Sequence, residues 1–274
     1  MTKNPTRKRV DLLLVERGLF PSREQAQRAI LAGWVYADGR RLEKPGQAVP
    51  VDIPLEVRNK PRFVSRGGEK LAGALAAFPV EVTGRVCLDL GASTGGFTDC
   101  LLKHGARLVY AVDVGRGQLA WSLRQDPRVV VMEGVNARYL RPEDFPERPT
   151  LVTVDLSFIS LRLVLPAMAA VLPAEGEVIA LIKPQFEAGK QEVGKRGVVR
   201  EATIHRAVLE AVLEEAARQG FGLAGLTHSP LLGPEGNIEF FAWWVKDGGG
   251  SPAPGLIQAT VAAAHARLKA GHHL

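Results

Sequence analysis

From residue 68 onward, apolar runs alternate with helical patterns. The runs are Val86–Leu90, Leu108–Val112, Val129–Met132, Leu151–Asp155, Val178–Lys183, Leu223–Thr227 and Ile238–Val245. Continuous Val/Ile/Leu stretches separated by helices require a parallel sheet buried on both faces. The last two runs leave no room for a crossover helix, so they should pair antiparallel. The chain is therefore expected to build an α/β, doubly wound, seven-stranded Rossmann-like sheet. Such a domain does not use all 274 residues, and at roughly 150 residues per domain a second unit is expected.

Charge locates that unit. Residues 1–66 hold 14 Lys/Arg against 7 Asp/Glu, whereas the other 208 hold 21 against 22, so the whole excess of +6 sits in the first quarter. A small basic module beside a near-neutral one suits a polyanion-binding arm on an enzyme, and equally a solvated basic surface. The longest apolar run, Leu163 to Ala174, is interrupted by Pro166 and Pro173 and falls short of the ~18 residues that span a bilayer. Thr2-Lys3-Asn4-Pro5 lacks the apolar core of a signal peptide. Two cysteines, Cys87 and Cys100, make neither a disulfide framework nor a zinc site. A soluble cytoplasmic protein, with no membrane partner and no metal, is the expectation.

In the basic quarter, Arg9 to Arg17 reads as a helix with Val10, Leu13 and Leu14 on one face and Gly18 as its stop. Ser22-x-x-Gln25 fits a capping box for a second helix. Ala26, Ala29 and Ile30 form its inner stripe, and Arg23, Gln27 and Arg28 its outer face. Trp34 to Ala37, the turn pair Asp38-Gly39 and Arg40-Arg41 suggest a hairpin with a basic exit. Arg7, Lys8, Arg9, Arg23, Arg28, Arg40 and Arg41 are the candidate RNA contacts, able to meet phosphates without reading bases.

Arg9, Asp11, Leu12, Gly18, Ser22-Arg23, Ala26, Ile30, Gly33, Val35 and Asp38-Gly39 resemble the S4 RNA-binding domain over about sixty residues. The resemblance implies a small α+β module that binds structured RNA. Asn59 to Gly68 then reads as an irregular linker, since proline and paired glycines should stop regular elements. The expected division is a module at 1–60, a linker at 61–67, the larger domain at 68–246, and a linker and tail at 247–274.

The first strand of the larger domain runs into Asp89-Leu90-Gly91-Ala92-Ser93-Thr94-Gly95-Gly96-Phe97-Thr98-Asp99. A glycine-rich turn there brings backbone close to a ligand at the carboxyl edge of the sheet. Asp113 ends the second strand, 22 residues after Gly91, placed to accept hydrogen bonds from a ribose diol. That geometry serves NAD as well as S-adenosylmethionine, but the G-x-G-x-x-G fingerprint is absent. The stretch Asp89 to Phe97 instead resembles motif I of class I methyltransferases, which implicates Asp89, Gly91, Ser93, Thr94, Gly95, Gly96, Phe97 and Asp113 in holding S-adenosyl-L-methionine. Asn136, after the third strand, is either an adenine-side contact or a turn residue.

Four polar residues occupy positions a buried fold would avoid. Asp155 ends the fourth strand and Lys183 the fifth, both at the carboxyl edge; Glu239 opens the last strand, which reaches the same edge if antiparallel; Lys70 lies on the helix before the first strand. A sugar hydroxyl is a poor nucleophile, so transfer to it needs proton removal and alignment with the methyl carbon. Lys183 is the candidate base, a role a neighbouring cation such as Lys70 favours by repelling its proton. Asp155 would orient Lys183, with Lys70 and Glu239 positioning the ribose.

This order resembles the tetrad of RrmJ/FtsJ-type ribose 2′-O-methyltransferases. With the S4-like module, the chain from about residue 7 to residue 246 is similar to the TlyA family of rRNA methyltransferases. The resemblance rests on Ser65 to Lys70, Asp89 to Asp99, Val154 to Ser160, Ile182 to Glu187 and Gly233 to Phe240. It implies methylation of cytidine ribose in 16S rRNA, 23S rRNA or both, on ribosomal subunits, with a linker role in cofactor binding that draws attention to Arg62–Val64. The family name has been attached to haemolysins, yet no stretch reads as a membrane span or a strongly amphipathic pore helix.

Other classes fit less well. An amino methyltransferase would carry an Asn/Asp-Pro-Pro-aromatic motif where Asp155-Leu156-Ser157-Phe158 stands. A cytosine C5 enzyme needs a nucleophilic cysteine, but Cys87 lies inside a strand and Cys100 on the next helix. A non-catalytic ribosome-binding or assembly factor would not need all four tetrad residues. Gly189 to Arg200, with Lys190, Lys195, Arg196 and Arg200, is either an RNA-contacting or a merely solvated loop. His104, His205 and His228 lack metal-ligand spacing and read as structural, Glu201 to Arg218 as a surface helix, and Leu256 to Lys269 as a further helix after a Gly-rich linker.

Overall fold

A computed structural model describes residues 6–58, 61–248, 250 and 253–271. The chain divides into a unit at Met1–Arg62 and a unit at Phe63–Leu274. Thr2 to Pro5, Asn59-Lys60, Gly249 and Ser251-Pro252, all part of the sequence reading, lie outside the described residues.

The first unit runs β1 (Arg7–Arg9), α1 (Val10–Glu16), α2 (Arg23–Leu31), β2 (Val35–Ala37), β3 (Arg40–Arg41), β4 (Ala48–Pro50) and β5 (Leu55–Val57). Gly18 takes φ +69°, a left-handed stop that any side chain would strain, and Ser22 Oγ caps α2 by accepting from the Gln25 N–H. β2 and β3 pair antiparallel across Asp38-Gly39, both at positive φ, as a tight primed turn requires. Val10, Leu13, Leu14, Ala26, Ala29, Ile30 and Val35 form its core.

The second unit opens with α3 (Arg66–Ala77), followed by β6 (Val86–Leu90), α4 (Gly96–Lys103), β7 (Leu108–Asp113), α5 (Trp121–Arg124), β8 (Val129–Glu133) and β9 (Leu151–Val154). It continues with α6 (Leu165–Val171), β10 (Glu177–Ile182), α7 (Pro184–Glu187), α8 (Ala202–Arg218), β11 (Phe221–His228), β12 (Phe240–Lys246) and α9 (Leu256–Gly271). The sheet order is β11-β12-β10-β9-β6-β7-β8. β6 to β10 are parallel, and β12 runs antiparallel to both β10 and β11. Alternate side chains feed two apolar layers: Leu88, Val152, Val154, Ala180 and Ile182 one face, Cys87, Val109, Ala111, Ile179 and Leu181 the other. Because the chain winds from β6 toward β8 and then restarts at β9, a crevice opens at the carboxyl edge between β6 and β9.

One expectation fails. Arg66 to Gly68 are not irregular linker: they form the first turn of α3. Gly68 is there for close approach, since a Cβ on it would overlap the Phe63 side chain. Sequence alone shows two helix breakers; packing makes the second a contact point for Phe63.

Candidate active site and RNA-binding module

The crevice holds two adjoining cavities. One, of about 430 Å³, is walled by Ser65, Arg66, Gly67 and Lys70 from the start of α3, by the glycine loop, and by Asp155, Ser157 and Lys183. The other, of about 340 Å³, is lined by Asp113, Val112, Val114, Val135, Ala137, Leu156 and Phe158. Gly91, Ser93, Asp155 and Ser157 belong to both.

The glycine loop is held from below. Gly91 has φ +85°, and a Cβ there would lie 2.5 Å from the Asp155 carbonyl oxygen, so only glycine lets β6 turn this close to β9. A Cβ at Gly96 would overlap Ser65 Oγ. Gly95, at φ +94°, turns the chain into α4 against Leu119 and Leu123. Thr94, Gly96 and Phe97 line the first cavity. Asp113 anchors the loop: Oδ2 accepts from the Ser93 N–H at 2.8 Å and Oδ1 from the Gly115 N–H at 2.7 Å. Each carboxylate oxygen keeps a further lone pair.

Two of the residues picked from the glycine motif line neither of these two cavities. Asp89 is wholly buried, accepting from Thr98 Oγ1 at 2.6 Å and Thr153 Oγ1 at 3.3 Å. Burial pushes its carboxyl up to about 7. It ties α4 and β9 to β6. Gly95 is likewise beneath the loop. Asn136 uses its Oδ1 to cap the 3-10 turn Ala137–Tyr139 through the Arg138 N–H at 3.1 Å, while its neighbours Val135 and Ala137 line the second cavity.

The four tetrad residues form two ion pairs. Lys183 directly follows β10 and Asp155 directly follows β9; Lys183 Nζ stands 2.6 Å from Asp155 Oδ1 and donates to Ser157 Oγ at 2.9 Å. Register places Ile182 opposite Phe240, so Glu239 arrives beside Lys183 from the antiparallel strand. Lys70 Nζ lies 2.5 Å from Glu239 Oε2. Both lysines line the first cavity. Glu239 does not: its side chain is fully buried behind Lys70 and against Gly233, where a Cβ would overlap Oε1. It holds Lys70 from behind.

The sequence reading missed several supports. Ser157 reaches Lys183; Val64 N–H donates to Asp99 at 2.9 Å; Arg66 donates to the Leu232 carbonyl at 2.8 Å. Phe158, at φ +64°, is 90% exposed at the rim of the second cavity and lies 5.0 Å from the Phe186 ring. Only its place three residues after the strand-ending Asp155 could have flagged it. Cys87 and Cys100 are buried, and burial pushes the Cys87 thiol up to about 12, unsuited to nucleophilic attack. Among the described residues no group of three or more His, Cys, Asp or Glu could hold a metal, and no helix is long and apolar enough to cross a membrane.

In the first unit, Asp11 is the hub. Its buried carboxylate accepts from Arg9 Nε and Nη2 at 3.1 and 2.9 Å, Arg23 Nε at 2.9 Å and Gln27 Nε2 at 2.8 Å. These donors hold it well below the usual carboxylate range. Arg9 and Arg23 are thus pre-set on one face. Arg7 donates to the Ala48 carbonyl at 2.6 Å, Lys8 pairs with Glu16 and Arg28 with Glu24, and Arg40 and Arg41 are exposed on β3.

Comparison with known proteins matches this division. Residues 8–52 fit the S4 domain and residues 63–246 the FtsJ-like methyltransferase. The chain is 51% identical over 239 residues to the 16S/23S rRNA (cytidine-2′-O)-methyltransferase TlyA of Mycobacterium tuberculosis, covering 86% of this chain and 89% of that one. It is 50% identical over 269 residues to the Bacillus subtilis protein YqxC, covering 96% of each. A solved structure from Streptococcus thermophilus is 48% identical and superimposes with a TM-score of 0.77 over 98% of this chain and 99% of that one. The chain belongs to the FtsJ-like methyltransferases, in the TlyA family that joins this domain to an S4 domain.

Proposed function

We propose that this protein is an S-adenosylmethionine-dependent ribose 2′-O-methyltransferase of ribosomal RNA, acting on cytidine in 16S rRNA, 23S rRNA or both. The observation that carries the reading is the pair of lysines on one cavity wall, each tied to its own carboxylate.

The second cavity fits the nucleoside of the cofactor. It is an apolar slot between Val112, Val135, Ala137 and Leu156 with the Asp113 carboxylate at its mouth, suited to a flat base and a ribose diol. Ser93, Thr94, Gly96 and Phe97 would hold the remainder along the glycine loop. When bound, S-adenosylmethionine supplies an electrophilic methyl group.

Lys183, after losing its own proton to solvent, accepts the proton of the ribose 2′-hydroxyl as a neutral amine. Asp155 and Ser157 aim its amine into the cavity, and Asp155 balances the ammonium that results. Lys70, fixed by Glu239, offsets negative charge developing on the ribose oxygen. The exposed Phe158 ring, set against Phe186, offers a face on which an extruded base can stack. The S4 unit, with Arg9 and Arg23 set by Asp11, contributes phosphate contacts that orient the RNA. The substrate places the protein in the cytoplasm with the ribosomal subunits.

Incubation with methyl-labelled S-adenosylmethionine and unmodified 30S or 50S subunits tests this. Label in the RNA of either subunit supports the reading and names the substrate. No label, with cofactor binding intact, would refute it in favour of an assembly factor retaining the fold.

A further inference from the structure

Lys183 belongs to a closed ring of contacts that its motif neighbours complete. The loop Asp155 to Ser160 leaves β9 and supplies both partners of the lysine, Asp155 Oδ1 at 2.6 Å and Ser157 Oγ at 2.9 Å. Its first residue is pinned where the Asp155 N–H donates to the Leu90 carbonyl at 2.9 Å. Four residues beyond Lys183, at the end of α7, the Glu187 carboxylate returns to the other end of the same loop. Oε2 accepts from Ser160 Oγ and Oε1 from the Leu161 N–H, both at 2.6 Å. The Glu187 side chain is 2% exposed, an expensive place for a carboxylate unless its bonds are needed. Across the middle of the ring Phe158 meets Phe186, and Phe158 holds φ +64°, a conformation a phenylalanine keeps only when its surroundings impose it.

We infer that Glu187 is a positioning residue for the Lys183 base: by clamping Ser160 and Leu161 to α7, it sets where Asp155 and Ser157 hold the lysine amine. The inference rests on the proposed reaction for its kinetic meaning, but the clamp itself is a property of this chain. Arg162 is the charged group facing Glu187, with Nε 3.4 Å from Oε2 and Nη2 donating to the Glu187 carbonyl at 3.3 Å. Arg162 is partly exposed and closes the ring from outside, without reaching Lys183.

Two readouts separate the clamp from the reaction. Lys70 and Lys183 have side chains 10% and 9% exposed, so Lys70 is an internal control for amine acylation read by peptide mass spectrometry. In Glu187→Ala the ratio of Lys183 to Lys70 labelling should rise about fivefold or more, because the loop no longer holds Asp155 and Ser157 on the amine. In Glu187→Gln, whose amide keeps an acceptor for Leu161 and a partner for Ser160, the ratio should stay within about twofold of the parent. General unfolding would raise both lysines together. An unchanged ratio in Glu187→Ala overturns the inference, whether or not the parent transfers methyl groups. Ser160→Ala, which loses one of the two bonds, should give an intermediate ratio and serves if Glu187→Ala does not fold.

In subunit methylation, Glu187→Ala should lower kcat about tenfold or more, with KM for S-adenosylmethionine within about threefold. Glu187→Gln should recover most of the rate. Equal kcat in parent and Glu187→Ala would refute the positioning role. Absence of transfer by the parent would refute the proposed reaction instead, leaving the labelling ratio to decide the clamp.

Discussion

Lys183 and Asp155 leave adjacent parallel strands and meet at 2.6 Å, while Lys70 and Glu239, joined at 2.5 Å, come from α3 and from the residue just before the antiparallel strand β12. The two pairs are not equivalent. Asp155 stands on the cavity wall with its lysine, whereas Glu239 is hidden behind its own. Each pair sets one lysine on the same cavity wall.

Replacing Lys183 by Ala should lower methyl transfer by roughly a hundredfold or more, the usual worth of a general base. Cofactor affinity, measured by calorimetry, should change little because the glycine loop and Asp113 are untouched. Transfer within about threefold of the parent would show that another group takes the proton.

Gly91→Ala places a methyl 2.5 Å from the Asp155 carbonyl at a φ of +85°. The loop must shift, and with it the Ser93 N–H that Asp113 accepts. Affinity for S-adenosylhomocysteine should fall about tenfold or more in a titration.

Asp89 makes stability depend on pH in an unusual direction. Its carboxyl is raised by burial to about 7 in the folded protein, against about 3.9 when unfolded. The folded state thus holds the proton more tightly, and Asp89's contribution is greatest below about pH 4 and declines as pH rises toward 7. Asp89→Asn keeps an acceptor for Thr98 and removes the titration. Urea unfolding of parent and variant from pH 4 to 8 should show their difference growing in favour of Asn by up to about 4 kcal/mol. A pH-independent difference would contradict the assignment.

Asp11 behaves oppositely. Held low by Arg9, Gln27 and Arg23, it contributes stability that is fully present above the unfolded carboxylate value and lost only in strong acid. Asp11→Ala should destabilise the S4 unit by about 1–3 kcal/mol at pH 7. It should also weaken RNA binding, because Arg9 and Arg23 lose their shared anchor. Filter binding of the RNA and thermal unfolding of the protein check both.

Arg40 and Arg41 lie exposed on β3. If each meets a phosphate, replacing both by Ala should reduce the slope of log affinity against log salt by about 2. An unchanged slope would remove them from the RNA surface.

The strands were legible because buried parallel strands are written as unbroken apolar runs, and the antiparallel placement of β12 followed from the short connection after β11. Lys183 and Asp155 were legible because strand-ending polar residues at the carboxyl edge have no core to satisfy. What the sequence concealed is side-chain direction. Asp89 and Glu239 carry functional-looking positions yet point inward, to Thr98 and to Lys70. Gly67 and Gly68 look like a break in sequence but lie in the first turn of α3, where Gly68 makes room for Phe63. Glu187 lay inside a recognised motif, but its role depends on Ser160 and Leu161, about 26 residues earlier in the chain and adjacent only after folding.

The most direct test is the chemical identity of the product. RNA from methylated 30S and 50S subunits would be hydrolysed in alkali and the resistant dinucleotides analysed by mass spectrometry. The account predicts 2′-O-methylcytidine, seen as a linkage that alkali does not cleave, from the parent protein and not from Lys183→Ala. A methyl group on a base, with every ribose linkage still cleaved, would contradict it.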